Sequence, residues 1–211
     1  MDNRRMPARR LVLASTSRYR SELLQRLRLP FTVRAPGVDE AALPGETPQA
    51  LALRLALAKA DAIADLDRDA VVIGSDQVAD LDGTAIGKPG DHPRAVAQLR
   101  SMRGRTVVFH TAVAVACVES GFRAAEVAPV TVRFRDYGDA EIEHYLRTER
   151  PYDCAGSAKA ETLGIALLEA IESDDPTALI GLPLIRTCAL LRRAGIDPLL
   201  PVALVTGAST R

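Results

Sequence analysis

The sequence predicts an α/β protein in which helices flank a mixed, twisted β-sheet. Helical and strand-like segments alternate along the first half of the chain, as they do where helices connect the strands of a sheet. Two longer segments, residues 106–118 and 122–134, alternate in polarity around Ser120-Gly121 and predict an antiparallel pair. We therefore expect one domain over residues 1–211, with residues 1–9 and 199–211 peripheral to it.

Turn and cap signals place the individual elements. Three short strands are predicted at residues 11–14, 31–35 and 70–74. Asp82-Gly83 predicts a hairpin turn between Val78 and Ile86. Helices are predicted from Ser15-Thr16-Ser17 to near Pro30, and over 47–66, 92–102, 139–149 and 182–194. Residues 165–171 fit either a strand or a helix, because a short apolar run has no decisive period.

Three of these elements carry more detailed expectations. The run from Ala70 to Gly74 is continuous and β-branched, which is typical of a strand that is covered on both faces. Asp139 is expected to cap the fourth helix. The longest helix should turn one apolar stripe toward the core, formed by Leu51, Leu55, Ala58, Ala62 and Leu66.

The composition excludes several classes of protein. Lys plus Arg equal Asp plus Glu at 27 each, whereas duplex nucleic acid attracts basic proteins. The three cysteines are odd in number and form no C-x-x-C pair, which argues against a disulfide framework or a cysteine zinc site. No stretch approaches the ~18 apolar residues of a membrane span, and the apolar run near the start is too short for a signal peptide. We expect a cytoplasmic protein that binds neither duplex nucleic acid nor membrane.

The segment from Ser15 to Arg20 is a candidate phosphate site. It lies between a predicted strand and a predicted helix, where backbone N–H groups and the helix dipole favour an anion. An arginine here adds a forked cation that can bind two phosphate oxygens. The alternative is an ordinary capped helix with surface arginines.

Three charged residues extend this candidate site. Glu40 lies in an acidic loop, and carboxylates beside a phosphate site can hold Mg²⁺ or Mn²⁺. Asp76 follows the buried strand of residues 70–74, where it could take a proton from water or hold the metal. Lys88, between Gly87 and Pro89, could neutralise a pyrophosphate leaving group. A solvated loop and a turn-capping aspartate are the alternatives for the two acids.

Taken in order, these short motifs resemble the Maf family. The resemblance covers residues 10–198, and its matching stretches are Leu13-Ala14-Ser15-Thr16-Ser17, Val38-Asp39-Glu40, Lys59-Ala60, Gly74-Ser75-Asp76, Gly87-Lys88-Pro89, Ala155 to Glu161 and Gly181-Leu182-Pro183. It implies a nucleoside-triphosphate pyrophosphatase that uses Mg²⁺ or Mn²⁺, has an elongated Maf/ITPase-like α/β fold and forms a homodimer. It also implies that Asp76 accepts the proton, that Glu40 and Asp76 hold the metal, and that the phosphate-binding residues are Ser15, Arg20, Lys59 and Lys88.

Within the family, the chain resembles the branch that converts 7-methyl-GTP to 7-methyl-GMP and pyrophosphate. The positions that distinguish the branches are Tyr19, Gln77 and Glu161. A 7-methylated guanine is positively charged, so an aromatic ring attracts it by stacking and cation–π contact. Gln77 can donate and accept hydrogen bonds, and Glu161 could accept from the guanine N1–H and N2 groups. The alternatives for Tyr19 and Glu161 are a packing aromatic and a surface carboxylate.

Two other functions stay open at this point. A pyrophosphatase for dTTP, UTP or another modified nucleotide would use the same phosphate residues with a different base pocket. A nucleotide-binding regulator of cell division would need no proton acceptor. The chain also departs from the family pattern at Arg18, where many relatives have Pro, and at Ala158 and Thr162 in the predicted base pocket.

Overall fold

The computed structural model describes residues 9–200 and confirms the predicted α/β class. The strands are β1 (Leu11–Ala14), β2 (Thr32–Arg34), β3 (Val71–Leu81), β4 (Thr84–Ile86), β5 (Thr106–Cys117), β6 (Phe122–Phe134) and β7 (Leu168–Glu172). The helices are α1 (Arg18–Gln25), α2 (Pro48–Ala64), α3 (His92–Met102), α4 (Asp139–Glu149) and α5 (Leu184–Arg193). Most of the leader and tail predicted to be peripheral lies outside the described residues.

One mixed sheet organises the domain. Its strand order is β2-β1-β3-β5-β6-β7, and β4 pairs with β3 off this path. The β1–β2 and β1–β3 pairs are parallel, while the others are antiparallel. The long β5–β6 hairpin and the β3–β4 hairpin are therefore confirmed.

Helices cover both faces of the sheet. Helix α2 packs alone on one face, against alanines and valines of β1, β3 and β5. On the other face, α1 and α5 cover β1, β3 and β5 in one half, and α3 and α4 cover β3, β5 and β6 in the other half. Within residues 9–200, no helix has the length and apolar character that a membrane crossing requires.

The predicted stripe on α2 is wrong in part. The helix buries pairs of neighbouring residues, and the pairs recur every four residues. They are Leu51 with Ala52, Leu55 with Ala56, Lys59 with Ala60 and Ile63 with Ala64. Ala58 and Ala62 are only half-buried, and Leu66 lies beyond the helix end with 72% of its surface exposed. The small alanines allow the helix backbone to approach β3 closely. Lys59 therefore faces the sheet, although lysine is usually a surface residue.

Three further differences from prediction are explained by specific contacts or turns. Strand β3 continues to Leu81 because β5 pairs with it from Val72 to Asp80, so the polar run after Gly74 does not end the strand. Helix α4 is capped by Gly138, whose N–H donates to Glu141 at 2.7 Å, while Asp139 pairs with Arg100 instead. Residues 163–167 form 3-10 turns before β7, so neither simple alternative for residues 165–171 holds.

Candidate active site

A gap in the pairing of β3 marks the site. On one edge of β3, β1 pairs with Val71–Gly74 and β4 pairs with Ala79–Leu81. The intervening residues 75–78 have no strand partner on that edge, which leaves about 13 Å of open strand edge at about 3.3 Å per residue. A cavity of about 600 Å³ lies at this gap. The site-residue predictions that line it are Ser15, Tyr19, Arg20, Glu40, Lys59, Gln77, Lys88 and Glu161.

Asp76 lies behind this lining, in the middle of β3. Its position differs from the predicted strand end, and it is reachable because β1 stops two residues earlier, opposite Gly74. Its carboxylate Oδ1 accepts a hydrogen bond from Lys59 Nζ at 2.6 Å, and Glu40 Oε1 lies 2.5 Å from the same nitrogen. Lys59 is buried, and burying an ammonium is costly unless it is paired. The two carboxylates thus meet at one buried lysine.

The surrounding cations keep Glu40 ionised. Partial burial raises the pKa of Glu40, but the hydrogen bond and charge of Lys59 outweigh it and lower the pKa below its ordinary value. The charges of Lys88 and Arg20 act in the same direction. Because the folded pKa is depressed, this carboxylate stays charged at neutral pH and becomes protonated only as the pH falls through the lowered pKa.

The carboxylates of Glu40 and Asp76 fit a divalent cation that takes some of its ligands from the protein and the others from a phosphate substrate and water. Within residues 9–200, no group of three or more His, Cys, Asp or Glu side chains could hold a metal on its own. Mg²⁺ commonly takes one or two carboxylates and completes its octahedron with phosphate oxygens and water. Glu40 and Asp76 each use one oxygen on Lys59, so each has a second oxygen available for such an ion.

The loop after β1 supplies the predicted phosphate-binding groups. Ser17 caps α1, and Ser15 Oγ accepts from the Ser17 N–H at 3.1 Å. Arg20 donates through Nε to the Gly181 carbonyl at 2.9 Å, and its Nη1 lies 3.5 Å from Ser15 Oγ. Burial lowers the pKa of Arg20, against the charges of Asp76 and Glu40, but a guanidinium remains a cation in proteins.

Gln77 lies on the opposite face of β3 from Asp76 and offers only one free polar atom. Its amide nitrogen contacts the carbonyls of Ala178 at 3.0 Å and Leu179 at 2.9 Å. Thr111 donates its hydroxyl proton to the same Ala178 carbonyl, so it accepts from Gln77, and these contacts fix the orientation of the amide. Gln77 can therefore accept from a base but has no free donor, contrary to the expectation that it could do both.

Tyr19 already contacts two cations. The Arg18 guanidinium lies 4.8 Å from the ring centroid, and the Lys159 ammonium lies 5.8 Å from it. Lys159 is buried and donates to the Glu149 carbonyl at 3.3 Å, whereas Arg18 is exposed. A base that stacks on Tyr19 therefore has two cations beside the same ring. Burial raises the pKa of Tyr19, so the hydroxyl stays protonated and can donate to Asp153, 3.4 Å away.

Comparison with known proteins places the chain in a family. Residues 10–194 match the family model described as Maf-like protein. This chain belongs to the Maf-like family. It is 68% identical to a 7-methyl-GTP pyrophosphatase of Polaromonas sp. (strain JS666 / ATCC BAA-500), over 90% of this chain and 86% of the relative. It is 65% identical to the protein of that name from Albidiferax ferrireducens (90% and 96% covered) and 59% identical to that from Thiobacillus denitrificans (90% and 94%).

The site of this Maf-like chain also contains contacts that the sequence did not reveal. Gln98 of α3 donates to the Gly87 carbonyl at 3.0 Å and accepts from the Ser157 hydroxyl at 2.6 Å. This bridge brings Lys88, which follows Gly87, beside the loop that carries Glu161. Neither local spacing nor a motif marks Gln98 in the sequence, because its partners are 11 and 59 residues away.

Proposed function

We propose that this Maf-like protein hydrolyses 7-methyl-GTP to 7-methyl-GMP and pyrophosphate. One observation carries the proposal. The cavity at the β3 gap gathers Arg20, Lys59, Lys88 and Glu40, with Asp76 directly behind them, beside a cluster of base-binding candidates. The relatives that share more than half of its residues are named 7-methyl-GTP pyrophosphatases, which supports the same substrate.

The proposed reaction is an in-line displacement at the α-phosphorus. A water oxygen forms the new bond to phosphorus, and the bond from phosphorus to the oxygen that bridges the α- and β-phosphates breaks. The water proton passes to the Asp76 carboxylate, and the electron pair of the broken bond leaves with pyrophosphate. Such chemistry depends on positioning and charge rather than on a covalent nucleophile.

The cations stabilise the charge that develops on pyrophosphate. Arg20, Lys59 and Lys88 all contribute to the cavity lining, and the low-dielectric surroundings of the buried Lys59 strengthen its effect. A bound Mg²⁺ or Mn²⁺ would be held by Glu40 and Asp76 and would polarise the phosphate oxygens. Ser15 Oγ, at the start of the loop that precedes α1, completes the phosphate-binding set.

The base pocket offers acceptors to a base that carries donors. Gln77, whose side-chain oxygen is free to accept, and Glu161 are both residues of the cavity lining. The Watson–Crick edge of guanine has adjacent donors at N1 and N2, whereas uracil and thymine have one donor between two acceptors. This pattern favours guanine. Stacking on Tyr19 then favours the cationic 7-methyl form, because the face of an aromatic ring attracts a cation.

The first experiment is pyrophosphate release from 7-methyl-GTP, GTP, UTP and dTTP in the presence of Mg²⁺. We expect kcat/KM to be highest for 7-methyl-GTP. A preference for UTP or dTTP would keep the pyrophosphatase reaction and reject the base pocket described above. Binding of nucleotides without release of pyrophosphate from any of them would reject catalysis and favour a regulatory nucleotide-binding protein.

Glu40→Gln should weaken metal activation specifically. We expect EDTA to abolish pyrophosphate release from the wild type and added Mg²⁺ to restore it. The variant should need about ten times more Mg²⁺ for half-maximal activity, because the amide lacks the charge that binds a hard cation. Asp39→Asn is the matched control, since Asp39 accepts from the Ala41 N–H beside the site and is absent from the cavity lining. Equal Mg²⁺ titrations for Glu40→Gln and wild type would remove Glu40 from the metal site.

A further inference from the structure

Residues 178–181 form a short arch whose carbonyls hold two residues of the site. The carbonyls of Ala178 and Leu179 accept from Gln77, as described above. The Gly181 carbonyl accepts from Arg20 Nε at 2.9 Å and lies 3.1 Å from Ser75 Oγ, whose hydroxyl also contacts the Ala112 carbonyl at 2.8 Å. The arch therefore fixes one phosphate-binding and one base-binding side chain through its backbone.

Asp175 and Thr177 fix the start of the arch. Asp175 has no exposed surface, and its Oδ1 lies 3.2 Å from the Thr177 hydroxyl. Its Oδ2 accepts the backbone N–H of Arg186 at 3.1 Å. The Thr177 hydroxyl also accepts the backbone N–H of Leu184 at 2.8 Å and lies 2.8 Å from the Leu182 carbonyl, just beyond the arch.

The same two residues replace the missing cap of α5. The residue that precedes this helix is Pro183, which has no side-chain hydrogen bond to the first turn. The first N–H groups of a helix need acceptors, and Thr177 and Asp175 satisfy those of Leu184 and Arg186 from a distance. The buried carboxylate thus ties the arch to the rigid start of α5 on one side and to Thr177 on the other.

We propose that Asp175 and Thr177 are positioning residues for nucleotide binding, which act through the arch carbonyls on Arg20 and Gln77. Neither side chain lines the cavity, and the polar atoms of both are already hydrogen-bonded within residues 175–186. The inference rests on the proposed function for its site, but its test uses a ligand that is independent of the base. If the arch shifts, Arg20 loses the carbonyl that accepts from its Nε, and its guanidinium group is no longer held in one orientation toward the phosphates.

Thr177→Val is the sharpest variant, because valine keeps the branched shape and removes the hydroxyl. We expect it to weaken binding of inorganic pyrophosphate, measured by calorimetry with Mg²⁺, by about three- to tenfold. The kcat/KM for 7-methyl-GTP should fall by at least a similar factor, because Arg20 also stabilises the charge that develops on the leaving pyrophosphate. Asp175→Asn, which keeps one acceptor oxygen for the Arg186 N–H and can donate its amide to the Thr177 hydroxyl, should show a smaller shift in the same direction.

Thr47→Val is the matched control. Thr47 caps α2 through a hydroxyl contact of 3.3 Å with the Ala50 N–H, so this substitution also removes a helix cap but has no contact with the arch. We expect it to lower Tm without changing pyrophosphate affinity. If Thr177→Val and Thr47→Val both lower Tm and neither changes affinity, Thr177 is structural only and the proposal is wrong.

A double-mutant cycle separates positioning from general damage. In an Arg20→Ala background, Thr177→Val should cost less than about twofold in pyrophosphate affinity, because the residue it positions for that ligand is gone. An equal cost in both backgrounds would overturn the proposal. The pyrophosphate titration does not depend on the base, so a wild type that binds pyrophosphate but fails to hydrolyse 7-methyl-GTP would refute the proposed function and leave the arch testable.

Discussion

Asp76→Asn is expected to lower kcat by about 10²–10⁴-fold, the usual range for loss of a general base. Asparagine has nearly the same shape, and its carbonyl oxygen can still accept the hydrogen bond that Lys59 donates at 2.6 Å in the wild type. The amide, however, cannot take a proton from the attacking water. The measurement is steady-state pyrophosphate release from 7-methyl-GTP, together with a thermal unfolding curve that checks the fold.

Asp80→Asn provides the control on the same strand. Asp80 lies four residues further along β3, points to the same face and contacts His110 Nε2 at 3.1 Å. Its two oxygens contact the Gly83 N–H and His110 rather than any proposed site residue, and we expect its variant to keep kcat within about twofold. An Asp76→Asn protein that unfolds normally and turns over at the wild-type rate would show that another group accepts the proton.

Gly74→Ala is expected to have the largest effect on stability. A β-carbon at this position would lie 2.2 Å from the Ala56 carbonyl oxygen and 2.5 Å from the Ala60 nitrogen, both in the backbone of α2. A backbone cannot rotate away as a side chain can, so the helix must move off the sheet. We expect a loss of about 3 kcal/mol in the free energy of unfolding, at the upper end of overpacking, and a fall in Tm of about 6–12 °C.

The same displacement should reach the active site. Lys59 lies between Ala56 and Ala60 on α2, so a shift of that turn lengthens its 2.6 Å contact with Asp76 and lowers kcat. Gly87→Ala is the control for stability, because an added β-carbon there meets no atom within 4 Å and the residue has an ordinary negative φ. Equal Tm values for Gly74→Ala and wild type would show that α2 does not pack as closely as described.

The sequence predicted the sheet class, the long hairpin and the residues that surround the cavity. These features depend on local period, turn residues and short motifs, which a single chain displays directly. The position of Asp76 was less predictable, because a polar run after apolar residues resembles a strand end. Only the pairing of β3 with β5, whose register joins Asp76 to Ala112, shows that the strand continues.

Contacts between distant residues could not be read from the sequence. The contact of Lys159 with Tyr19, the bridge from Gln98 to Ser157 and the contact of the Gly181 carbonyl with Arg20 each join segments that are far apart along the chain. Whether Glu161 reads the base, which metal is used and whether the protein forms a homodimer in the cytoplasm stay predictions. Each of these depends on a ligand or partner rather than on the packing of this chain alone.

The gap between β1 and β4 also gives the sheet a mechanical asymmetry. Across residues 75–78, β3 is held on one side only, by β5 and, through it, β6. Ser15 is attached to the β1 side of the break and Lys88 to the β4 side. The continuous strands β3, β5 and β6 therefore connect the two groups of proposed phosphate-binding residues across the break. A small bend in these strands would widen or narrow the proposed nucleotide cleft without breaking a strand pairing.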